Sequence, residues 1–461
     1  MKTAQRVMLL EFNELSPQLM DRFMGEGHLP NFRRLRSESQ IYVTEAAERG
    51  WELNPWVQWV TVHSGLDYQD HGITELDEGA KLQAERVWDV VSQAGLPVWV
   101  CGSMNVAYRQ PVNGLVMPDP WTTKVPPSDT LQPFFRFVRQ HVTEHTKDSL
   151  PLGRADYLRF GAFMLRHGLS FATVAAIVRQ LVSERTTPDQ YWKRAVLLDK
   201  LQFDVFRWYY RKTKPAFSTF FSNSTAHYQH YYWREMEPHL FKVQSTPEQV
   251  AAHEKAILFG YREMDTMMAK ALALAGRDTA VIFATAISQQ PCLVYEEQGG
   301  KVIYRPRDFE ALMNFAGVTE SYSIAPVMAE VFNIHVPREE DAARVEAKLA
   351  ALHSGGRPAM QLLRTGTIIN AKCRLHEKLP LDTALGRKDS AQTVPLFDVF
   401  YQIEDLKSGM HHPDGMLWIR LPDKGHQLHT TKVPLASLAP TMLRLLSLPR
   451  PSHMKASPIA L

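Results

Sequence analysis

Short apolar runs that end in polar clusters recur along the chain, and the stretches between them are patterned as helices. Residues 6–12 (RVMLLEF) are apolar almost throughout, the pattern of a strand buried on both faces of a parallel sheet. Glu11, Asn13 and Glu14 close this run, and strand alternation puts Glu11 and Asn13 on one side with Phe12 on the other. A helix is expected around Pro17–Met24. Residues 86–94 read as a helix stopped by Gly95, and 97–101 (PVWVC) as the next strand, a β-α-β rhythm. Residues 103–121, rich in Pro, Asn and Gly, read as a loop, and 131–212 as helical. Residues 216–222 (AFSTFFS) and 280–284 repeat the buried-strand pattern, with a helix over 248–274 between them. The first of these strands runs into Asn223, His227 and His230, the second into Ser288, Gln289 and Gln290. Within 325–376, AEVFNIHV reads as strand, EEDAARVEAKLAAL as helix and RTGTIINAKC as strand. GMHHPDG, a strand over 416–421 and a helix over 436–446 close the chain.

The fold these patterns predict is α/β, a mostly parallel sheet sandwiched by helices, with a helical insertion and a small α/β insertion. The expected division is core at 1–125, helical cap at 126–214, core at 215–292, small insertion at 293–400 and core at 401–461. In such open sheets ligands bind beyond the carboxyl ends of the strands, where the polar clusters fall.

The stretch 51–73 (WELNPWVQWVTVHSGLDYQDHGI) carries the densest mixture of polar and apolar signals. Pro55 suits a first helical turn, and Gly65 suits a helix end. The N-terminus of a helix is a ready anion site, so Glu52 and Asn54 stand where a phosphate would bind. The alternative for Asn54 is an ordinary N-cap. His71-Gly72 reads as the close of the following turn.

Composition is that of a globular protein, 45% hydrophobic and 22% charged. A net charge of +3 gives no ground for a nucleic-acid partner. The distribution is uneven: 152–214 holds twelve Lys/Arg against five Asp/Glu. These basic helices read either as a cap over an anionic substrate, as a surface for peripheral contact with anionic lipid, or as a solvated insertion. The three cysteines lack any CxxC spacing, which points to reduced thiols. No signal-peptide pattern is present at residues 1–12, and 170–178 is too short an apolar run to span a bilayer. The expected compartment is the cytoplasm, with contact at the inner face of the membrane as an extension.

Four separated pieces fall into one order: the strand ending in Asn13-Glu14, the Pro55 helix ending SGxxxxxHGI, HYQHYYW at 227–233, and GMHHPDG ahead of SLAPTMLRLL. This set resembles the alkaline-phosphatase superfamily, in its type I phosphodiesterase/nucleotide-pyrophosphatase branch. The resemblance covers roughly 5–120, 215–290 and 400–461. It implies two metal ions and a hydroxyl nucleophile, yet the matching positions depart from that set. The first metal-binding Asp falls on Asn13 and the nucleophile near Asn54 or Pro55. A second Asp falls on Ala226, and an Asp-His pair on Ala286 and Ile287. The histidines at His230 and His411 are kept.

Two close dications need several carboxylates, so the implied centre shrinks to a single zinc or manganese on His230 and His411, helped by His227 or a nearby Glu. Asn13, Asn223, Gln289, Gln290 and His412 are the expected ligand-binding side chains, and Glu11, Glu52, Asn54 and His227 the catalytic ones. Either Glu52 or Glu11 would act as general base. The substrate expected is an anionic phosphate- or sulfate-bearing small molecule or a glycan/lipid intermediate, turned over by hydrolysis or group transfer. The alternatives are a catalytically silent relative that binds an anionic ligand or a partner protein, and a membrane-associated partner in surface-polysaccharide or lipid assembly.

Overall fold

The computed structural model describes residues 6–50, 52–143, 153–187, 190–326, 331–388, 390–403 and 406–461. Trp51, residues 144–152 and 188–189 of the expected helical segment, and residues 329–330 of an expected strand lie outside the described residues. The chain divides into two compact units. The larger comprises Met1–Met236, Pro247–Gln290 and Met410–Leu461. The smaller comprises Glu237–Thr246 and Pro291–Gly409.

The larger unit is built on one sheet. Its strands are β1 (Arg6–Phe12), β2 (Gln40–Glu45), β3 (Val98–Cys101), β4 (Gly114–Met117), β5 (Phe217–Ser222) and β6 (Thr279–Ala284), with Asp414–Arg420 and two short edge pieces. The order is Gln427–Leu428, β2, Asp414–Arg420, β6, β1, β5, β3, β4. β1 runs parallel to β5 and β6, with Leu9 opposite both Thr219 and Ile282, and β3 runs parallel to β4 and β5. Asp414–Arg420 is the antiparallel member, placed between β2 and β6. The sheet is thus mostly parallel, in keeping with strands covered on both faces: β1, β5 and β6 are buried from Val7, Phe217 and Thr279 to their ends.

Helices flank it. They are α1 (Pro17–Gly25) and α2 (Pro30–Ser37), then α3 (Pro55–Ser64), α4 (Tyr68–His71) and α5 (Val87–Gln93). α6 (Gln132–Thr143), α7 (Arg154–Arg166), α8 (Phe171–Thr186) and α9 (Arg194–Thr213) follow, and then α10 (Ser224–Met236), α11 (Pro247–His253) and α12 (Ala256–Ala275). The alternation expected of β1 is observed. Glu11 and Asn13 both meet α3, through His63 and Trp59, whereas Phe12 packs edge-on against Phe32 of α2 and Phe283 of β6. α3 is buried on nearly every face, which explains why its sequence lacks a polar stripe. Pro55 opens it and Gly65 ends it at φ +67°, a conformation that favours glycine.

Three sequence expectations change. The loop at 103–121 contains β4, an edge strand. The single helix at 248–274 is two helices, α11 and α12. RTGTIINAKC is not one strand but the tip and return of a hairpin, Met360–Thr365 with Ile368–Cys373, which turns at Gly366 with φ +58°. That hairpin belongs to the smaller unit, whose own core gathers Leu312, Ile334, Val345, Leu349 and Ile369.

A carboxylate between two imidazoles as candidate metal site

The carboxyl ends of β1, β5 and β6 stop side by side, with Phe12 opposite Ser222 and Glu11 opposite Ala284. Beyond them the backbone of β1 continues for two residues: the Asn13 amide donates to Ser222 O and the Glu14 amide to Thr285 O. Glu14 then takes φ +58°, an uncommon left-handed conformation for a non-glycine residue. That turn brings its carboxylate to His230 of α10 and to His411 of the short strand Gly409–His412. Glu14 Oε2 lies 3.2 Å from His230 Nε2 and 3.3 Å from His411 Nε2. The three ligand atoms all lie within 4.8 Å of one another, and the two rings are 5.2 Å apart between centroids.

The carboxylate is held from behind. Gln289 Nε2 donates to Glu14 Oε2 at 2.5 Å and to the Ala226 carbonyl at 3.0 Å. Asn13 Nδ2 donates to Glu14 Oε1 at 2.9 Å and to Asn223 Oδ1 at 2.8 Å, while its own oxygen accepts from Trp59 Nε1 at 2.8 Å. An indole N–H only donates, so the Asn13 amide has one workable orientation. Gln229 Nε2 holds the Glu14 carbonyl at 2.7 Å. Burial alone would push the Glu14 carboxyl upward; the charges of His411 and His230 and their hydrogen bonds win, and hold it well below the usual carboxylate range. Glu14 is itself buried while both imidazoles keep an exposed edge, about a fifth of each side chain.

Of the residues expected from sequence, His230, His411, Asn13, Asn223 and Gln289 converge here. Asn13 does so as a bracket: its nitrogen faces Glu14, and its oxygen is turned to Trp59. Gln289 leaves its Oε1 buried without a hydrogen-bond partner. His227 lies exposed on α10 against Tyr231, and Gln290 is exposed. His412 Nδ1 accepts from the Asp414 amide at 3.1 Å and so closes its own turn. Glu11 departs from its expected role: it is fully buried and bonded to His63 Nε2 at 2.7 Å. A general base must reach a substrate proton, and a sealed carboxylate does not. The carboxylate that meets the histidines is Glu14, one position after the expected Asn13. The signal that could have singled it out is its place after the last strand residue, where alternation no longer fixes direction.

α3 meets its expectation in part. Asn54 occupies the N-cap position in extended backbone, but its side chain does not cap the helix. Pro55 has no N–H, and the amides of Val57 and Gln58 both bond to Asn54 O at 3.0 Å, so little of the expected anion site remains in that first turn. The Glu52 carboxylate folds back over Gly50. Tyr228 and Trp233 of the HYQHYYW piece are core residues.

No family model and no curated protein matches the sequence. Solved structures similar to the chain include murine ectonucleotide pyrophosphatase/phosphodiesterase 5, as an inactive variant in complex with AMP, at 10% identity, 96% of each chain and a TM-score of 0.45. The human protein of that name gives 10% identity over 97% of this chain and 96% of its own, with the same TM-score of 0.45. Phosphonoacetate hydrolase from Sinorhizobium meliloti 1021, in complex with phosphonoformate, gives 10% identity, 96% of each chain and a TM-score of 0.44. Likeness at this level assigns neither family nor activity, and the fold stands on the sheet described above.

Proposed function

We propose that the chain is an enzyme that hydrolyses or transfers a group on a phosphate- or sulfate-bearing small molecule or a glycan/lipid intermediate. It would use a single divalent cation, zinc or manganese. The observation that carries this reading is the ionised Glu14 carboxylate set between the Nε2 atoms of His230 and His411. One carboxylate and two imidazoles are a sufficient protein donor set for a catalytic site with an open position. The same residues do not suit a two-metal centre: Ala226, Ala286 and Ile287 supply no donor where the resemblance calls for carboxylates and a histidine. When bound, the cation supplies a Lewis acid for a phosphoryl or sulfuryl oxygen.

The chain's own residues have separable tasks. Gln289 and Asn13 fix the Glu14 carboxylate so that both imidazoles keep one orientation. Asn223, bonded to Asn13, stands next to this bracket as a donor for substrate oxygens, and His227, exposed on α10, would reach the substrate from the solvent side. Glu52 is partly accessible and keeps the general-base role that Glu11 loses. A second reading, a silent binder of an anionic ligand or partner protein, is favoured by the absence of a hydroxyl at Asn54 and Pro55.

The test is metal content by elemental mass spectrometry in the wild type and in His230→Ala/His411→Ala, followed by turnover of phosphate mono- and diesters and sulfate esters. About one zinc or manganese per chain, lost in the double variant, with ester turnover, is expected. Metal without turnover favours the silent binder. No metal in either protein overturns both the site and the reaction.

A further inference from the structure

α8 is mounted with its apolar side outward. Phe171, Val174, Val178, Leu181 and Val182 recur at helical spacing, and all five are exposed, Phe171 at 95%. The side that faces the protein is the more polar one, with Ala176 and Ile177 half-buried among its polar residues. Thr173 and Gln180 are its buried residues, and Gln180 Nε2 donates to Gln190 O at 2.7 Å and to Glu184 Oε1 at 2.8 Å. The turn that leads into α8 is pinned to α9: the Ser170 amide donates to Asp204 Oδ2 at 2.9 Å, and Arg207 donates to Gly168 O at 2.8 Å. α7 adds to the same class of surface, with Leu158 at 74% and Leu165 at 77% exposure. Single exposed leucines need no explanation, but a whole apolar stripe turned from the core does.

The charges around it are mostly positive. Arg154, Arg159, Arg166, Arg179 and Arg185 are exposed on the two helices. The described acids there are engaged: Glu184 with Arg194 through two bonds of 2.6 Å, and Asp156 with Arg136 and Arg159. An apolar stripe edged by arginine is the chemistry of a helix that lies in the headgroup layer of an anionic bilayer. A second copy of the chain is a poorer occupant, because a twofold contact would set these arginines against themselves. No helix among the described residues is long and apolar enough to cross a membrane, so the contact is peripheral.

We infer that α7 and α8 form a docking surface for anionic lipid bilayers. The inference does not depend on the metal site. The test is co-sedimentation of the full chain with phosphatidylcholine vesicles, with and without phosphatidylglycerol. Binding to the anionic vesicles alone is expected. Phe171→Ser/Val178→Ser/Leu181→Ser should weaken it by at least about tenfold. Each of Arg166→Gln, Arg179→Gln and Arg185→Gln should weaken it by about fivefold at low salt. Thermal melting checks that the serine variant folds; should it not, the arginine variants and a salt titration of the wild type carry the test. No binding to anionic vesicles, or binding untouched by either set of variants, overturns the inference. A concentration-dependent dimer that the serine variant abolishes would overturn it in favour of a second copy.

Discussion

Glu11 and Glu14 stand three residues apart at the end of β1, and each carboxylate meets imidazole, yet the two places are physically opposite. Glu11 and His63 are sealed, at 0% and 2% side-chain exposure. Glu14 is as deeply buried, but its partners His230 and His411 keep 20% and 17% exposure. Strand alternation directs Glu11 inward to α3, whereas the left-handed turn at Glu14 sends its side chain out past the strand ends. The same pair chemistry fastens a helix to a sheet in one case and forms an accessible donor set in the other. What separates them is one open edge.

The largest expected effect tests the sealed half. His63→Ala leaves Glu11 buried without its partner and should cost about 3–5 kcal/mol of stability in urea or thermal unfolding. Replacing both residues, Glu11→Leu/His63→Leu, should restore most of that loss, because an apolar pair carries no stranded charge. A stable His63→Ala protein that had lost metal binding would erase the contrast between the two places.

The next effect tests the open half. Glu14→Gln removes the only carboxylate of the donor set, and zinc or manganese affinity should fall by more than about a hundredfold in a calorimetric titration. A smaller step sharpens the point. Gln289→Leu keeps all three donors but removes the amide that holds Glu14 Oε2, and should cost about 10–100-fold in affinity. Unchanged affinity in Gln289→Leu would mean that the imidazoles alone orient the carboxylate.

How far this contrast could be read from sequence follows from what each residue depends on. The buried strands, the Pro55-to-Gly65 helix and the alternation at Glu11 and Asn13 are local patterns, and they were legible. His230 and His411 were singled out by motif order, and the structure brings them together. Glu14 was not assigned, since its direction is set by a backbone turn beyond the strand and by contacts with residues more than 200 positions away. The pairing of Glu11 with His63 hides for a similar reason: both residues look polar in sequence, and only the packing of α3 on β1 seals them. α8 shows the converse. The sequence showed a helical segment with an apolar run at 170–178, but such a run does not say which side faces the protein, and here Gln180 and Asp204 decide it.

A fourth imidazole gives the smallest and most exact test of what sealing does. His71 is buried like His63 but faces the Ile73 amide, which donates to its Nδ1 at 3.0 Å, and Thr61 Oγ1 at 3.4 Å from Nε2. Burial, aided by the charge of Arg86, lowers its pKa to about 4 from an ordinary 6.5. The folded state therefore favours the neutral ring. Its contribution to stability is complete above pH 6.5 and is lost as pH falls from there toward 4. Between pH 6.5 and 5.5 the loss should be about 1 kcal/mol. His71→Asn keeps an acceptor for the Ile73 amide but cannot titrate, so its unfolding free energy should fall by that much less over the same interval. Were the two proteins to lose stability in parallel, His71 would be charged in the fold, and sealing without a carboxylate would not be what keeps an imidazole neutral.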